Sequence, residues 1–357
     1  MSGAPSSSAT LAFQRAMPMT RLLDCGMDFA DAQSLFQRTS AGEAWDQVAD
    51  ALAQTQLDRA RQAAAAGHRV TATEAQAAAL ADLLFAQMAF NHDIPRKRAL
   101  YSQLAMATRQ LCEWSEGCMQ RVEVPFGPSH LVGWLVRPRA APARGTVLVF
   151  GGQSGWGVAY LPVARALARR GLATLLAEGP GQGETRLNQG IHVDVDMEAA
   201  YSQFVSFIAS DASLGATGIW GNSVGGLWAA RTAAADARIQ ACCINGSLAA
   251  PTLLPFRTFA EQAAAMLGTD DERAIQQNFE RMRFRSERDR IACPLLVLHG
   301  GADPLVRLED QQPFLDAAVN PDVTLRVWDD GEHTIYNHAA ERTAFVADWF
   351  SDRLARS

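Results

Sequence analysis

The sequence predicts an α/β fold: a mostly parallel, eight-stranded sheet flanked by helices, with a helical N-terminal region and a helical cap insertion. Three observations predict it. From about Cys118 onward, short β-rich runs alternate with helical stretches. Those runs are continuously apolar, as in strands covered on both faces. Before Cys118 the chain is rich in Ala, Gln and Arg, poor in β-branched residues, and apolar at helical spacing.

Taken in order, residues 1–10 are small and polar and read as a disordered tail. Residues 11–117 read as a helical region contributing to a lid. Leu80, Leu83, Leu84 and Met88 mark one helix, and another runs from Pro95 through Leu100, Leu104, Ala107 and Leu111. Residues 118–357 read as the catalytic domain. Arg121–Pro125 and Leu131–Val136 form a hairpin-like pair around Gly127-Pro128, and Thr146–Phe150 is an apolar strand ending in Gly151-Gly152. Further strands follow at Ala173–Ala177, Thr217–Trp220, Ile239–Ile244, Leu295–His299 and Thr324–Trp328. Helices are expected at about Ala159–Arg170, Met197–Ala209, Ser223–Ala235, Leu308–Ala318 and Ala339–Leu354. The stretch 247–290 is too long for an ordinary loop and reads as a helical cap.

The 357 residues carry 32 basic and 38 acidic side chains, a net charge of −6. That balance opposes sequence-independent nucleic-acid binding. No apolar run is long enough to span a bilayer, and the N-terminus lacks a basic segment followed by an apolar one, so a cytoplasmic protein with no membrane partner is expected. Six scattered cysteines match no zinc spacing and read as reduced core thiols; no metal is expected. The pattern leaves a homodimer open.

Gly221-Asn222-Ser223-Val224-Gly225 follows an apolar strand and opens a helix. In that context G-x-S-x-G pushes the serine hydroxyl out of the sheet, and Gly221 and Gly225 leave room for the tight turn. A glycine-rich turn with an N-cap serine is the alternative. A serine hydroxyl needs a base within hydrogen-bond reach, and the base needs an orienting carboxylate. Asp303 follows the strand ending at His299, and His333 follows the strand ending at Trp328, in the order serine, acid, histidine. His338 competes locally but falls beside the last helix, His299 reads as packed, and Asp310 lies too far along its helix. One oxyanion donor is expected from the Val224 N–H. The other is expected from Gly152 or Gln153, which the sequence does not separate.

These motifs, with Glu178-Gly179-Pro180-Gly181-Gln182-Gly183-Glu184-Thr185 and the helical extension, resemble the α/β-hydrolase superfamily. The resembling branch is the esterase one that contains 2,6-dihydroxypseudooxynicotine hydrolase, fungal polyketide-shortening hydrolases and fermentation–respiration switch protein. The resemblance implies a cofactor-free serine hydrolase with Ser223 as nucleophile, Asp303 as acid and His333 as base. In several members it implies cleavage of a carbon–carbon bond beside a ketone. This chain has Glu178 where relatives have Asp, and no carboxylate over Asn245–Pro255, where the nicotine-pathway enzyme has an extra glutamate. Glu178 or Glu184, in the loop after the fourth strand, is a candidate auxiliary acid if burial raises its pKa; capping of the loop by these glutamates is the favoured alternative. Leu253, Leu254, Phe256, Phe259 and Met266 are candidate lining of a pocket for a small-molecule carbonyl substrate that is bulky and mostly apolar, with plain core packing as the commoner alternative for an apolar helical face. Ester, thioester or lactone hydrolysis, or partner binding without catalysis, are the competing functions.

Overall fold

A computed structural model describes residues 7–139, 142–194 and 196–354. The chain divides into two compact units, Met1–Gln120 and Arg121–Ser357. Of the tail expected over 1–10, residues 1–6 lie outside the described residues. Residues 7–10 instead begin a helix, α1 (Ser7–Ala16), because Ala9, Leu11 and Ala12 are strong helix formers once the serines have opened the turn.

The first unit continues with α2 (Met19–Asp24), α3 (Phe29–Ser40), α4 (Trp45–Ala65), α5 (Arg69–Gln87) and α6 (Pro95–Trp114). Asp28 caps α3 by accepting from the Ala30 N–H at 2.9 Å. Pro95 opens α6, where its fixed φ suits a helix start. Tryptophan and glutamine side chains fasten the helices: Trp45 Nε1 donates to the Phe85 carbonyl at 3.1 Å, and Gln76 Nε2 to the Ala107 carbonyl at 2.8 Å. Lys97, almost fully buried, donates to the Phe90 carbonyl at 2.7 Å, near the C-terminal end of α5. Asp82 on α5 is fully buried, and burial pushes its carboxyl up to about 8, helped by the charges of Asp31 and Asp28.

The second unit holds one sheet of eight strands in the order β1-β2-β4-β3-β5-β6-β7-β8. They are β1 (Met119–Phe126), β2 (Ser129–Val136), β3 (Thr146–Phe150), β4 (Ala173–Glu178), β5 (Thr217–Asn222), β6 (Ile239–Asn245), β7 (Leu295–Gly300) and β8 (Val323–Trp328). β2 pairs antiparallel with β4, while β3 through β8 run parallel. Every residue of β3 to β5 is buried, as continuous apolar runs require of strands covered on both faces.

The connecting helices are α7 (Leu161–Ala168), α8 (Gly183–Leu187), α9 (Met197–Ala209), α10 (Val224–Ala235), α11 (Arg257–Leu267), α12 (Glu272–Met282), α13 (Gln312–Asp316) and α14 (Ala339–Leu354). Alternation along β5 assigns its faces. Gly218 and Trp220 meet Phe350 of α14, whereas Gly221 abuts Gly225 of α10. On the α10 side, Tyr201 of α9 stacks on Phe150 with centroids 4.0 Å apart and lies 6.1 Å from Trp228. The expected cap region contains α11 and α12, inserted between β6 and β7. Burial keeps the Cys242 and Cys243 thiols far above the ordinary range and pushes Cys293 up to about 12, as expected of packed thiols. Among the described residues, no helix is long and apolar enough to cross a membrane, and no cluster of His, Cys, Asp or Glu is arranged to hold a metal.

Candidate active site

The turn from β5 into α10 is too tight for ordinary backbone. Ser223 sits at φ 56° and ψ −138°, a region that costs a non-glycine residue of order 1–3 kcal/mol. Space explains the flanking glycines. A Cβ on Gly221 would lie 2.2 Å from the Gly225 carbonyl oxygen, and one on Gly225 would lie 2.4 Å from the Gly151 oxygen. The Ser223 N–H donates to the Asn245 carbonyl at 2.9 Å, which ties the serine turn to the end of β6.

Asp303 and His333 arrive from the ends of β7 and β8. His333 Nδ1 lies 2.8 Å from Asp303 Oδ2, and Nε2 lies 3.0 Å from Ser223 Oγ. The Asp303 carboxylate is fully buried, and its other oxygen accepts from the Leu305 and Val306 N–H groups at 2.8 and 3.2 Å. An ionised carboxylate only accepts, so the His333 proton belongs on Nδ1 and Nε2 is left to accept from the serine. The geometry thus brings together the three residues expected from the sequence.

The loop after β3 lies against Ser223. A Cβ on Gly152 would meet Val224 N at 3.0 Å and Ser223 Cβ at 3.1 Å. Among the described residues, the N–H groups of Gly152, Gln153 and Val224 donate to no backbone acceptor outside helices and strands. Val224 is the first residue of α10, where the helix supplies no partner and its dipole favours negative charge.

Contacts bear on two of the candidate roles. Glu178 is buried; its Oε2 accepts from the Glu184 N–H at 2.7 Å and its Oε1 from Trp134 Nε1 at 3.3 Å. Glu184 takes both arms of the Arg121 guanidinium, at 3.1 and 3.0 Å. Both carboxylates therefore frame the loop after β4, in line with the capping alternative, and their oxygens are engaged there. Met266 is fully buried core: a Cβ on Gly181 would meet its Cγ at 2.8 Å. A residue without exposed surface lines no pocket. Leu253 and Phe259 are half-buried against the core, Leu254 is half-buried, and Phe256 is exposed beside Phe259 in an edge-on contact. The rejected histidines are occupied elsewhere. Buried His299 accepts from Gln311 Nε2 at 3.0 Å, with burial holding its basicity down, and His338 pairs with Asp330 at 2.8 Å.

Sequence reading missed a strap behind the histidine. Thr334 and Ile335 have φ of 53° and 63°, a left-handed conformation that β-branched residues avoid. The Thr334 carbonyl is held by Asn245 Nδ2 at 3.1 Å and Arg342 Nη1 at 2.9 Å. Asn245 Nδ2 also donates to Asn222 Oδ1 at 2.9 Å, and Asn222 Nδ2 to the Phe150 carbonyl at 3.1 Å. The sequence signals of this network are the asparagine at the variable position of G-x-S-x-G and another ending β6, and neither identity is demanded by the motif.

Comparison with known proteins agrees with this architecture. A family model described as serine aminopeptidase, S33, matches residues 273–339, which hold Asp303 and His333. The chain is 25% identical over 264 residues to 2,6-dihydropseudooxynicotine hydrolase of Paenarthrobacter nicotinovorans, covering 72% of this chain and 69% of that protein. It is 31% identical over 245 residues to alpha/beta hydrolase ucsC of an Acremonium species, covering 61% of this chain and 49% of that protein. Among solved structures, 2,6-dihydroxy-pseudo-oxynicotine hydrolase superposes with a TM-score of 0.84 at 22% identity, covering 94% of this chain and 95% of that one. AbyA5 follows with a TM-score of 0.66 at 16% identity, over 85% of this chain and 88% of that one.

Proposed function

We propose that this chain, a hydrolase with the α/β-hydrolase fold, is a serine hydrolase acting on a bulky, mostly apolar carbonyl compound through an acyl-enzyme. The observation that carries this reading is the line from Asp303 through His333 to Ser223, with contacts of 2.8 and 3.0 Å. Ser223 attacks the carbonyl carbon while His333 takes its proton and Asp303 stabilises the imidazolium. The oxyanion is received by the Val224 N–H and by an N–H of the loop at Gly152 and Gln153. Collapse expels the leaving group, which His333 protonates. Water, activated by the same imidazole, then releases the acid.

The first substrate class proposed is a β-diketone: R–CO–CH₂–CO–R′ plus water gives R–COOH and CH₃–CO–R′. The expelled carbon is a stabilised enolate, and the imidazolium of His333 can protonate it. The resemblance to 2,6-dihydropseudooxynicotine hydrolase supports this class. A second reading, ester hydrolysis, is favoured by the engagement of Glu178 and Glu184 in the loop. An alkoxide leaves more readily than a carbanion and needs no extra acid. Incubation with an aryl 1,3-diketone and matched aryl and alkyl esters, with products identified by mass, separates the two. Ester turnover without acid-plus-ketone products eliminates the diketone reading. Failure of a fluorophosphonate probe to label Ser223 eliminates both.

A further inference from the structure

Gln182 lies outside the triad, in the loop after β4, and is fully buried. Its Oε1 accepts from the Gly179 N–H at 3.1 Å, while its Nε2 donates to the Gly151 carbonyl at 2.7 Å and the Gly152 carbonyl at 3.0 Å. These partners fix the orientation of the amide, because one end must accept and the other must donate. The next carbonyl along, that of Gln153, accepts from Trp156 Nε1 at 3.2 Å. Trp156 in turn is covered by the Arg186 guanidinium, 4.7 Å from its ring centre, and Arg186 Nη1 donates to the Gly181 carbonyl at 3.2 Å. Three successive carbonyls of the loop beside Ser223 are thus each held by a side-chain donor.

A trans peptide is planar, with its C=O and the following N–H pointing in opposite directions. Holding the Gly151 carbonyl therefore aims the Gly152 N–H away from Gln182, and holding the Gly152 carbonyl aims the Gln153 N–H likewise. We propose that Gln182 is the positioning residue of the oxyanion loop. It touches no substrate; it sets the two peptide planes that present the Gly152 and Gln153 N–H groups, from which the loop's donor to the developing charge is drawn. This inference rests on the serine-hydrolase reading above. Donors fixed in advance need no reorganisation as the charge appears, so a loop released from Gln182 binds substrate as before but stabilises the transition state less.

The test uses the full chain, a p-nitrophenyl ester and its thionoester, and the variants Gln182→Met, Gln182→Glu and Ser223→Ala. For Gln182→Met the expected result is a fall in kcat of about 10²-fold at nearly constant KM, the scale of a modest misplacement at the reacting centre. The preference for ester over thionoester should fall with it, since the larger sulfur already fits the donors poorly. For Gln182→Glu, the introduced carboxyl can donate to a loop carbonyl only while protonated. Its activity relative to wild type should therefore decline as pH rises from about 5 to about 8. This second readout decides the matter if Gln182→Met does not fold. Unchanged kcat, a loss of rate with unchanged thionoester discrimination, or a pH-independent ratio for Gln182→Glu would each overturn the positioning role. If these appear while Ser223→Ala is inactive, only this inference falls; an active Ser223→Ala removes the hydrolase reading as well.

Discussion

Gly152→Ala isolates the oxyanion loop with a single methyl group. The added carbon would lie 2.9 Å from Val224 Cγ1, 3.0 Å from Val224 N and 3.1 Å from Ser223 Cβ. Non-bonded carbon atoms settle at about 3.5–4.0 Å, so the loop must retreat from the nucleophile by about half an ångström. An N–H···O contact near 2.9 Å then lengthens to about 3.4 Å, beyond the useful range. Complete loss of one oxyanion donor costs about 10²–10³ in kcat, or about 3–4 kcal/mol. The lower end, about 10²-fold, is expected here because the loop N–H is displaced by a fraction of an ångström and not removed. KM should change little, because the interaction matures only in the transition state. The displaced packing should cost about 1–3 kcal/mol of stability. Steady-state hydrolysis of a p-nitrophenyl ester measures the first effect and urea denaturation the second. A variant whose kcat stays within about threefold of wild type would refute the assignment of this loop to the oxyanion site.

Three further outcomes follow from particular contacts. Asp303→Asn keeps the shape of the triad but presents a donor to His333 Nδ1, favours the wrong tautomer, and should lower kcat by up to about 10⁴-fold; an unchanged rate in the same ester assay would place the orienting acid elsewhere. Arg342→Met removes one of the two donors that hold the left-handed Thr334 carbonyl, so kcat should fall about tenfold with a smaller loss of folding stability, as expected for a misplaced base, and a rate loss matched by general unfolding in circular dichroism would contradict this. Asp82, held near 8 when folded against an ordinary 3.8, keeps its proton in the native state while the unfolded chain ionises. The native state therefore binds more protons between about pH 4 and 8, and stability falls across that window by up to about 1.4 kcal/mol per pH unit. Asp82→Asn should match wild type near pH 4 and exceed it at pH 8 in urea denaturation, and parallel curves for the two proteins would disprove the assignment.

Much of this was legible in the chain because strand-to-helix grammar is local. Thr146–Phe150, Met197–Ala209 and Ala339–Leu354 begin and end where the apolar pattern says. Ser223, Asp303 and His333 were legible because each follows an identifiable strand, and parallel strands deliver their C-terminal ends to one edge. Contacts between distant segments were not legible. Nothing around Arg342 tells that it reaches the Thr334 carbonyl, or around Gln182 that it holds Gly151 and Gly152. The loop role of the glutamates was legible as the favoured alternative, but not their partners Trp134 and Arg121, which lie far away in sequence. Met266 proved to be plain core, the alternative that could not be separated beforehand because an apolar helix face looks the same whether it lines a cavity or fills one.

Asn245 joins the nucleophile turn to the histidine loop twice over: its carbonyl holds the Ser223 amide, and its side chain holds Asn222 and Thr334. Ser223 and His333 are thereby braced from behind by the end of β6, with Asn222 and Arg342 as the other partners. One residue therefore keeps the distance between two loops that arrive from different strands: a shift of β6 would carry the Ser223 turn and the His333 loop together, leaving their 3.0 Å contact unchanged.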